Sequence, residues 1–447
     1  MRSLALLALV VGCGDNAAPS DPQWHVRDGF LRMPDGRAAI LRGANLSGAQ
    51  KHAPYIDDKT PADYRRLREA WGFNSIRFLM TWSAVEPAQG SYDDAYLDAV
   101  AERMRWAHEA GLAVVLDMHQ DIYGEGFGYD GAPRWTCAEE HYQAFVPREP
   151  WFLNAVDPAV QACVDNFYAN PDVRGAFVAA WRHVAERLAA EPAIVGLDVL
   201  NEPIWGTFPV FQFENDQMAP LYTAVVQAVR EVAPHWVAFL EPGASRNTGI
   251  PTQLRHFDFA NVMYSPHVYD AMAEGGGGFD PARRQVILDA VDELQAEAVT
   301  LDAGLWIGEY GGQAEHAGIV EYMTAQYDAA GRVAAGSSYW AYDKSDGYGL
   351  LAPDGSEKTV LLDAVVRPYP ERVAGTPISY GFDAGTFSFS YRPAGAGSTD
   401  VIVPARTFPT GFVVDCGDCA FELTTDGFSI TTPPAGDVAT VTVRGID

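Results

Sequence analysis

The sequence predicts an eight-stranded α/β barrel, (β/α)₈, followed by a small C-terminal antiparallel β-sandwich, and three observations carry that expectation. Eight short apolar segments alternate with amphipathic helical stretches. Polar and charged residues gather where those apolar segments end. After residue 368 the hydrophobic period changes from helical to two. Length agrees, since 447 residues accommodate a barrel of roughly 250 to over 400 residues with an appendage. With 48% hydrophobic and 20% charged residues, the chain can build a large core.

Taken in order, the first strand is read over 38–46 and leaves with Gly43 and Asn45. Residues 61–71 put Tyr64, Leu67 and Trp71 on one helical face. Strands follow at 74–79, ending near Arg77, and at 112–117, running into His119 and Asp121. Between them lies a helix over 92–110 that Gly111 stops. Beyond a long loop, a helix at 176–190 leads to the apolar run 193–197 and then Asn201-Glu202-Pro203. Asn, Glu and Pro are poor strand interiors, so the strand ends with a carboxylate at its C-terminal lip. A helix at 221–232 and strands at 235–240 and 261–265 follow, the latter leading to His267 and Tyr269. A helix at 281–301, a strand at 305–308 before Glu309, a helix at 318–330 and a strand at 336–342 carrying Trp340 complete the set. In a barrel, strand C-terminal ends share one mouth. The barrel is expected over 24–368.

The remaining 369–447 holds short period-two runs at 387–391, 401–403, 412–414, 421–423, 428–430 and 438–443, punctuated by Gly, Pro and Asp. No titratable cluster stands out there, so packing or accessory binding is its expected role.

The N-terminus reads as an export signal: Met1-Arg2-Ser3, an apolar run too short to span a bilayer, then Gly12-Cys13. Val10-Val11-Gly12-Cys13 is similar to a bacterial lipobox, making 1–12 a lipoprotein-type signal, Cys13 the lipidation site and 13–23 a tether, with plain secretion the other option. An exported chain with four further cysteines favours two disulfides, Cys137–Cys163 and Cys416–Cys419 by proximity. The second is a C-x-x-C that also fits half a zinc site or a redox pair. No second Cys or His pair lies near it, which favours a loop clip. The net charge of −28 repels phosphate backbones and argues against a nucleic-acid partner. Oligomeric state is not encoded in any visible feature.

Two carboxylates ending separate strands are what glycoside hydrolysis needs. Glu202 is read as the acid/base, with Asn201 beside it to hold a sugar hydroxyl. Glu309 is read as the nucleophile, oriented by Tyr269 and paired with Arg77. His119 and His267 donate to hydroxyls or tune the acid. Division of labour requires the acid's pKa to be raised and the nucleophile's kept low. No metal or cofactor is called for.

These residues, Asn201-Glu202-Pro203, His119, His267-Val268-Tyr269, Glu309 and Trp340, resemble glycoside hydrolase family 5. Gly72 to Arg77, Leu116-Asp117-Met118-His119-Gln120-Asp121, Tyr339-Trp340-Ala341-Tyr342 and the junction Val366-Arg367-Pro368-Tyr369-Pro370 resemble its endoglycoceramidase branch more closely. That resemblance implies retaining hydrolysis of the bond between glycan and ceramide, with a glycolipid substrate presented at a membrane surface. It implies acid/base Glu202, nucleophile Glu309, and sugar contacts from Lys51, Asp121, Asn201 and Trp340. The stretch 204–213 and the loop bearing Phe127, Tyr129, Trp135, Trp151 and Phe152 are apolar enough to line a lipid groove. Residues 273–279, with four consecutive glycines, read as a mobile flap beside the mouth. Two other readings compete: a family 5 enzyme acting on glucosylceramide, steryl glucoside or β-glucan, and a non-catalytic glycolipid-binding lipoprotein.

Overall fold

The computed structural model describes residues 23–395 and 397–446. The expected export signal, Cys13 and all but the last residue of the tether lie outside them. Eight parallel strands form the barrel: β1 (Arg42–Leu46), β2 (Ser75–Thr81), β3 (Ala113–His119), β4 (Ile194–Asp198), β5 (Val237–Leu240), β6 (Val262–Tyr264), β7 (Gly304–Gly311) and β8 (Gly336–Tyr342). Each pairs with the next, and β8 pairs with β1, so this TIM barrel closes and leaves no edge. β1 and β2 approach so closely that a Cβ on Gly43 would sit 1.8 Å from the Ser75 carbonyl oxygen; only glycine fits there.

Several elements differ from the sequence reading, each for a local reason. The helix expected from 176 begins at Pro171, because Asn170 caps it by accepting the Asp172 N–H at 3.0 Å. The long loop before it contains two more helices, Glu139–Ala144 and Pro158–Ala169, clipped by the Cys137–Cys163 disulfide. The expected first strand divides: Arg42–Leu46 enters the barrel, while Ala38–Ala39 joins another sheet.

That other sheet has seven strands and mixes both ends of the chain. Ala38–Ala39 pairs with Tyr369–Val373, and the hairpin His25–Arg27/Phe30–Arg32 extends it. Residues 25–39, which the sequence reading groups with the barrel, therefore belong to the C-terminal sheet by hydrogen bonding. Leu31 and Leu41 nevertheless pack on Val115, Val195, Phe239 and Trp306, so the hairpin closes the barrel floor. A second sheet of four strands packs against the first, and in it Gly375–Asp383, invisible to the period-two pattern, pairs with Thr386–Pro393. Cys416–Cys419 forms the second disulfide.

The two units are bolted together by polar bonds across a packed seam. Tyr369 donates to the Gly72 carbonyl at 2.8 Å and Tyr327 to that of Pro368 at 2.7 Å. Arg68 bridges Glu371 and Asp426. Among the described residues no helix is long and apolar enough to cross a membrane.

Candidate active site

The strands converge on Arg77 of β2. Parallel register sets it beside Asn45 of β1, while Asp117 of β3 lies opposite Asp198 of β4 and His267 opposite Glu309 of β7. The Arg77 side chain is fully buried. Its guanidinium meets four carboxylates: Asp198 at 2.9 Å, Asp117 at 3.0 Å, and Glu241 and Glu309 at 2.7 Å each. The amide oxygens of Asn45 and Asn201 accept its remaining hydrogens at 3.1 and 2.9 Å. Sequence reading pairs Arg77 with Glu309 alone, which undercounts its carboxylate partners by three.

Glu309 is thereby held from two sides, by Arg77 on Oε1 and by the Tyr269 hydroxyl, 3.0 Å from Oε2. Glu202 approaches from the opposite wall, its side chain a quarter exposed. Its Oε1 lies 2.8 Å from His267 Nδ1 and accepts from Asn247 Nδ2 at 2.8 Å. One oxygen of each glutamate and a ring nitrogen of His267 lie within 4.8 Å of one another. Asn201 spends one amide hydrogen on the Gln120 carbonyl at 3.1 Å, so a second is available to a sugar hydroxyl.

The resting electrostatics run opposite to the expected division. Burial pushes Glu202 upward, but the hydrogen bond and charge of His267 outweigh it and hold the carboxyl below its ordinary value. Glu309 is raised by burial, which the cations of His267 and Arg77 only partly offset. The cause is position: His267 Nδ1 sits 2.8 Å from Glu202 and 3.6 Å from Glu309. His267 itself is held well above the ordinary imidazole value, because Glu241 and Glu309 overcome its burial. The proton an acid needs therefore rests on His267, one hydrogen bond from Glu202.

On the other side, Lys51 forms an ion pair with Asp121, lies 4.0 Å from buried Asp130, and sits 4.6 Å from the centre of the Trp340 ring. His119 stacks on Trp340 at 5.3 Å and 11°, with Nδ1 2.7 Å from Asp117. Burial, with Lys51 and Arg77 nearby, keeps His119 neutral. A cleft of ≈ 270 Å³ opens here between Lys51, Trp340, Asp343 and Tyr348. Among the described residues, each His/Asp/Glu cluster compact enough to share a cation lies against Arg77 or Lys51 or contains the cationic His267 itself.

Comparison with known proteins fits this geometry. Residues 35–346 match the model of the cellulase family, glycosyl hydrolase family 5, and residues 367–443 match the glycoside hydrolase family 5 C-terminal domain. The chain belongs to glycoside hydrolase family 5. Within that family it is similar to endoglycoceramidase I of Rhodococcus hoagii, 26% identical over 94% of this chain and 85% of the relative. It is also similar to endo-glycoceramidase II from Rhodococcus sp., solved as a ganglioside GM3 complex and as a lactosyl-enzyme intermediate. Those structures are 30% and 31% identical, with TM-scores of 0.84 and 0.83, covering 94% of this chain and 99% and 100% of theirs.

The apolar surroundings of this family 5 site divide into two groups. Phe127 and Phe213 are core residues, and Trp135 and Phe208 pack against that core. Trp151, Phe152 and Phe211 are exposed, at 45, 51 and 64%. An apolar cavity of ≈ 30 Å³ beside Pro203 is lined by Trp82, Tyr123, Phe167 and Ile204. At the flap, Ala273–Gly277 forms a turn whose Glu274 carboxylate accepts from Tyr348 of the loop after β8.

Three carboxylates around Arg77 escape the sequence reading, Asp117, Asp198 and Glu241, as do Asn247 beside Glu202 and Asp130 beside Lys51. Glu241 had a visible signal. Leu240-Glu241-Pro242 ends an apolar strand with a carboxylate and a proline, as Asn201-Glu202-Pro203 does. Asp117 lies inside β3 and Asp198 closes β4, where the sequence offers no sign of a buried cation between them.

Proposed function

We propose that this family 5 chain is a retaining glycosidase that cleaves the β-bond between glycan and ceramide in glycosphingolipids. The supporting observation is the close approach of Glu202 and Glu309, within 4.8 Å oxygen to oxygen, in unlike environments. Retaining enzymes hold their carboxyl groups about 5–5.5 Å apart, whereas inverting ones leave about 6.5–9.5 Å for a water. The relatives whose names specify ceramide and whose structures hold GM3 or a lactosyl group support the substrate class.

In the first step Glu309 attacks the anomeric carbon while Glu202 protonates the departing oxygen, freeing ceramide and leaving a glycosyl ester on Glu309. His267 Nδ1, at 2.8 Å, supplies the proton to Glu202. In the second step Glu202 takes a proton from water, whose oxygen attacks the same carbon and releases the glycan and Glu309. Arg77 and the Tyr269 phenol, kept protonated by burial and by Glu309, stabilise the nucleophile as carboxylate before and after. Lys51, Asp121, His119 and Trp340 form the wall that receives the sugar.

Purified enzyme incubated with a mixed glycolipid extract is expected to release intact oligosaccharide and free ceramide, identified by mass spectrometry. Glucose release from β-glucan or steryl glucoside without ceramide formation would replace this substrate with the soluble or sterol alternative. Export with lipidation at Cys13 belongs to the same proposal, supported by two disulfides that need an oxidising compartment. Metabolic labelling with a palmitate analogue is expected to mark the wild type and not Cys13→Ser. Equal labelling of both would remove the anchor.

A further inference from the structure

We propose that Glu241 is the positioning residue of this site, holding the acid/base glutamate at both ends at once. The inference rests on Glu202 as the acid/base. Glu202 has φ +41°, in the left-handed region that a residue with a Cβ adopts only when its surroundings impose it. The imposing contact is visible: the Glu202 N–H donates to Glu241 Oε2 at 2.8 Å. The other oxygen, Oε1, lies 3.2 Å from His267 Nε2, and His267 Nδ1 lies 2.8 Å from Glu202 Oε1.

One carboxylate holds the Glu202 main chain by a hydrogen bond and reaches its side chain through a charge contact with the imidazole, whose Nε2 is not aligned for a hydrogen bond to Oε1. Glu241 is anchored to the barrel by Arg77, 2.7 Å from the same Oε1, and by the Tyr222 hydroxyl, which donates to the Glu241 carbonyl at 3.1 Å. The loops after β4 and β5 are further tied where the Ala244 N–H donates to the Pro203 carbonyl at 2.8 Å. Glu241 is 2% exposed. It has no path to a reacting atom, so its influence passes through Glu202 and His267. Both oxygens are needed: glutamine has one acceptor for the two duties, and aspartate is one methylene too short to reach both.

The test compares Glu241→Gln, Glu241→Asp and Glu202→Ala on two aryl β-lactosides, one with a dinitrophenolate leaving group and one with a poorly leaving phenol. A good leaving group departs without a proton, so a displaced acid harms kcat/KM only for the poor one. Both Glu241 variants are expected to lose about 100-fold in kcat/KM on the poor substrate and less than about tenfold on the good one, with KM little changed. Equal losses on both substrates, a loss confined to KM, or failure of both variants to fold would make Glu241 a general structural residue and overturn the proposal. Glu202→Ala separates the two ideas. It is expected to show the same leaving-group dependence in stronger form, with azide restoring turnover as the β-glycosyl azide. If it does not, the assignment of Glu202 falls, whatever Glu241 does.

Discussion

Glu309→Gln is expected to lower kcat on glycolipid by about 10⁶-fold, the order found when a covalent nucleophile is removed. That corresponds to about 8 kcal/mol of lost transition-state stabilisation. The substitution is nearly isosteric, and the site can accommodate it. The Gln amide oxygen still accepts from Arg77 Nη1 on one side, and the Tyr269 hydroxyl can turn to accept from the amide nitrogen on the other. Folding should therefore survive while chemistry does not, and a thermal melt run beside the kinetics separates the two. The stereochemistry of rescue gives a sharper check. In Glu309→Gly, azide enters where the carboxylate was and attacks the face opposite the leaving group, giving the α-glycosyl azide. In Glu202→Ala the glycosyl ester still forms, and azide displaces it to give the β-azide. A Glu309 variant that retains a hundredth of wild-type turnover, or yields the β-azide, would move the nucleophile elsewhere.

How far the chain could be read in advance depended on the range over which each feature is encoded. Barrel strands are local: a few apolar residues, then a polar residue at the mouth, and Asn201, Glu202, His267, Glu309 and Trp340 were legible for that reason. Pairing of Ala38–Ala39 with Tyr369–Val373 was not, because a strand of two residues carries no period and its partner lies more than three hundred positions away. The aromatic loops were legible as apolar but not as divided, since Phe213 and Phe211 look alike until one is seen to face the core. Proton placement was furthest from reach. Whether His267 charges Glu202 or Glu309 turns on 2.8 Å against 3.6 Å, a difference set by the backbone of three segments far apart in sequence.

The same distances bear on how the acid is loaded. A carboxyl held low by an imidazolium is by itself ill suited to donate a proton. The pair nevertheless holds one proton between two atoms 2.8 Å apart, and its position follows the surrounding charge. As Glu309 attacks, its charge is spent on the new bond and no longer favours protonated His267, so in that same step the shared proton passes to Glu202 as Glu202 protonates the departing oxygen. Burial pushes Glu241 up to about 8, with His267 the main opposing influence, so the cluster's charge answers to pH near neutrality.

Removing the cation at the centre is the largest perturbation of stability the fold offers. Arg77→Met is expected to destabilise the protein by about 3–5 kcal/mol, the cost of breaking a buried ion pair by deleting one member. Four carboxylates converge on the guanidinium, none more than 7% exposed, and among the described residues no other side chain pairs with all of them. The pH dependence follows from the direction of their shifts. Asp117, Asp198, Glu241 and Glu309 are all raised by burial even with Arg77 present, and Arg77 pulls each of them down. Without it their folded-state values rise further above the unfolded ones. A group raised on folding destabilises the native state above its folded pKa and ceases to do so below its unfolded one, about 4 for these side chains. The unfolded values are common to both proteins and cancel, so the extra loss in Arg77→Met opens as pH rises through the wild type's folded-state values and should be least near pH 4 and larger at pH 8, a trend that urea unfolding at a series of pH values would record. Arg77→Lys should fall between, because an ammonium restores charge without the planar fork that reaches β1, β4, β5 and β7 together. A loss that does not vary with pH would mean that Arg77 acts by filling space, and that the four carboxylates are neutralised by one another's protons rather than by its charge.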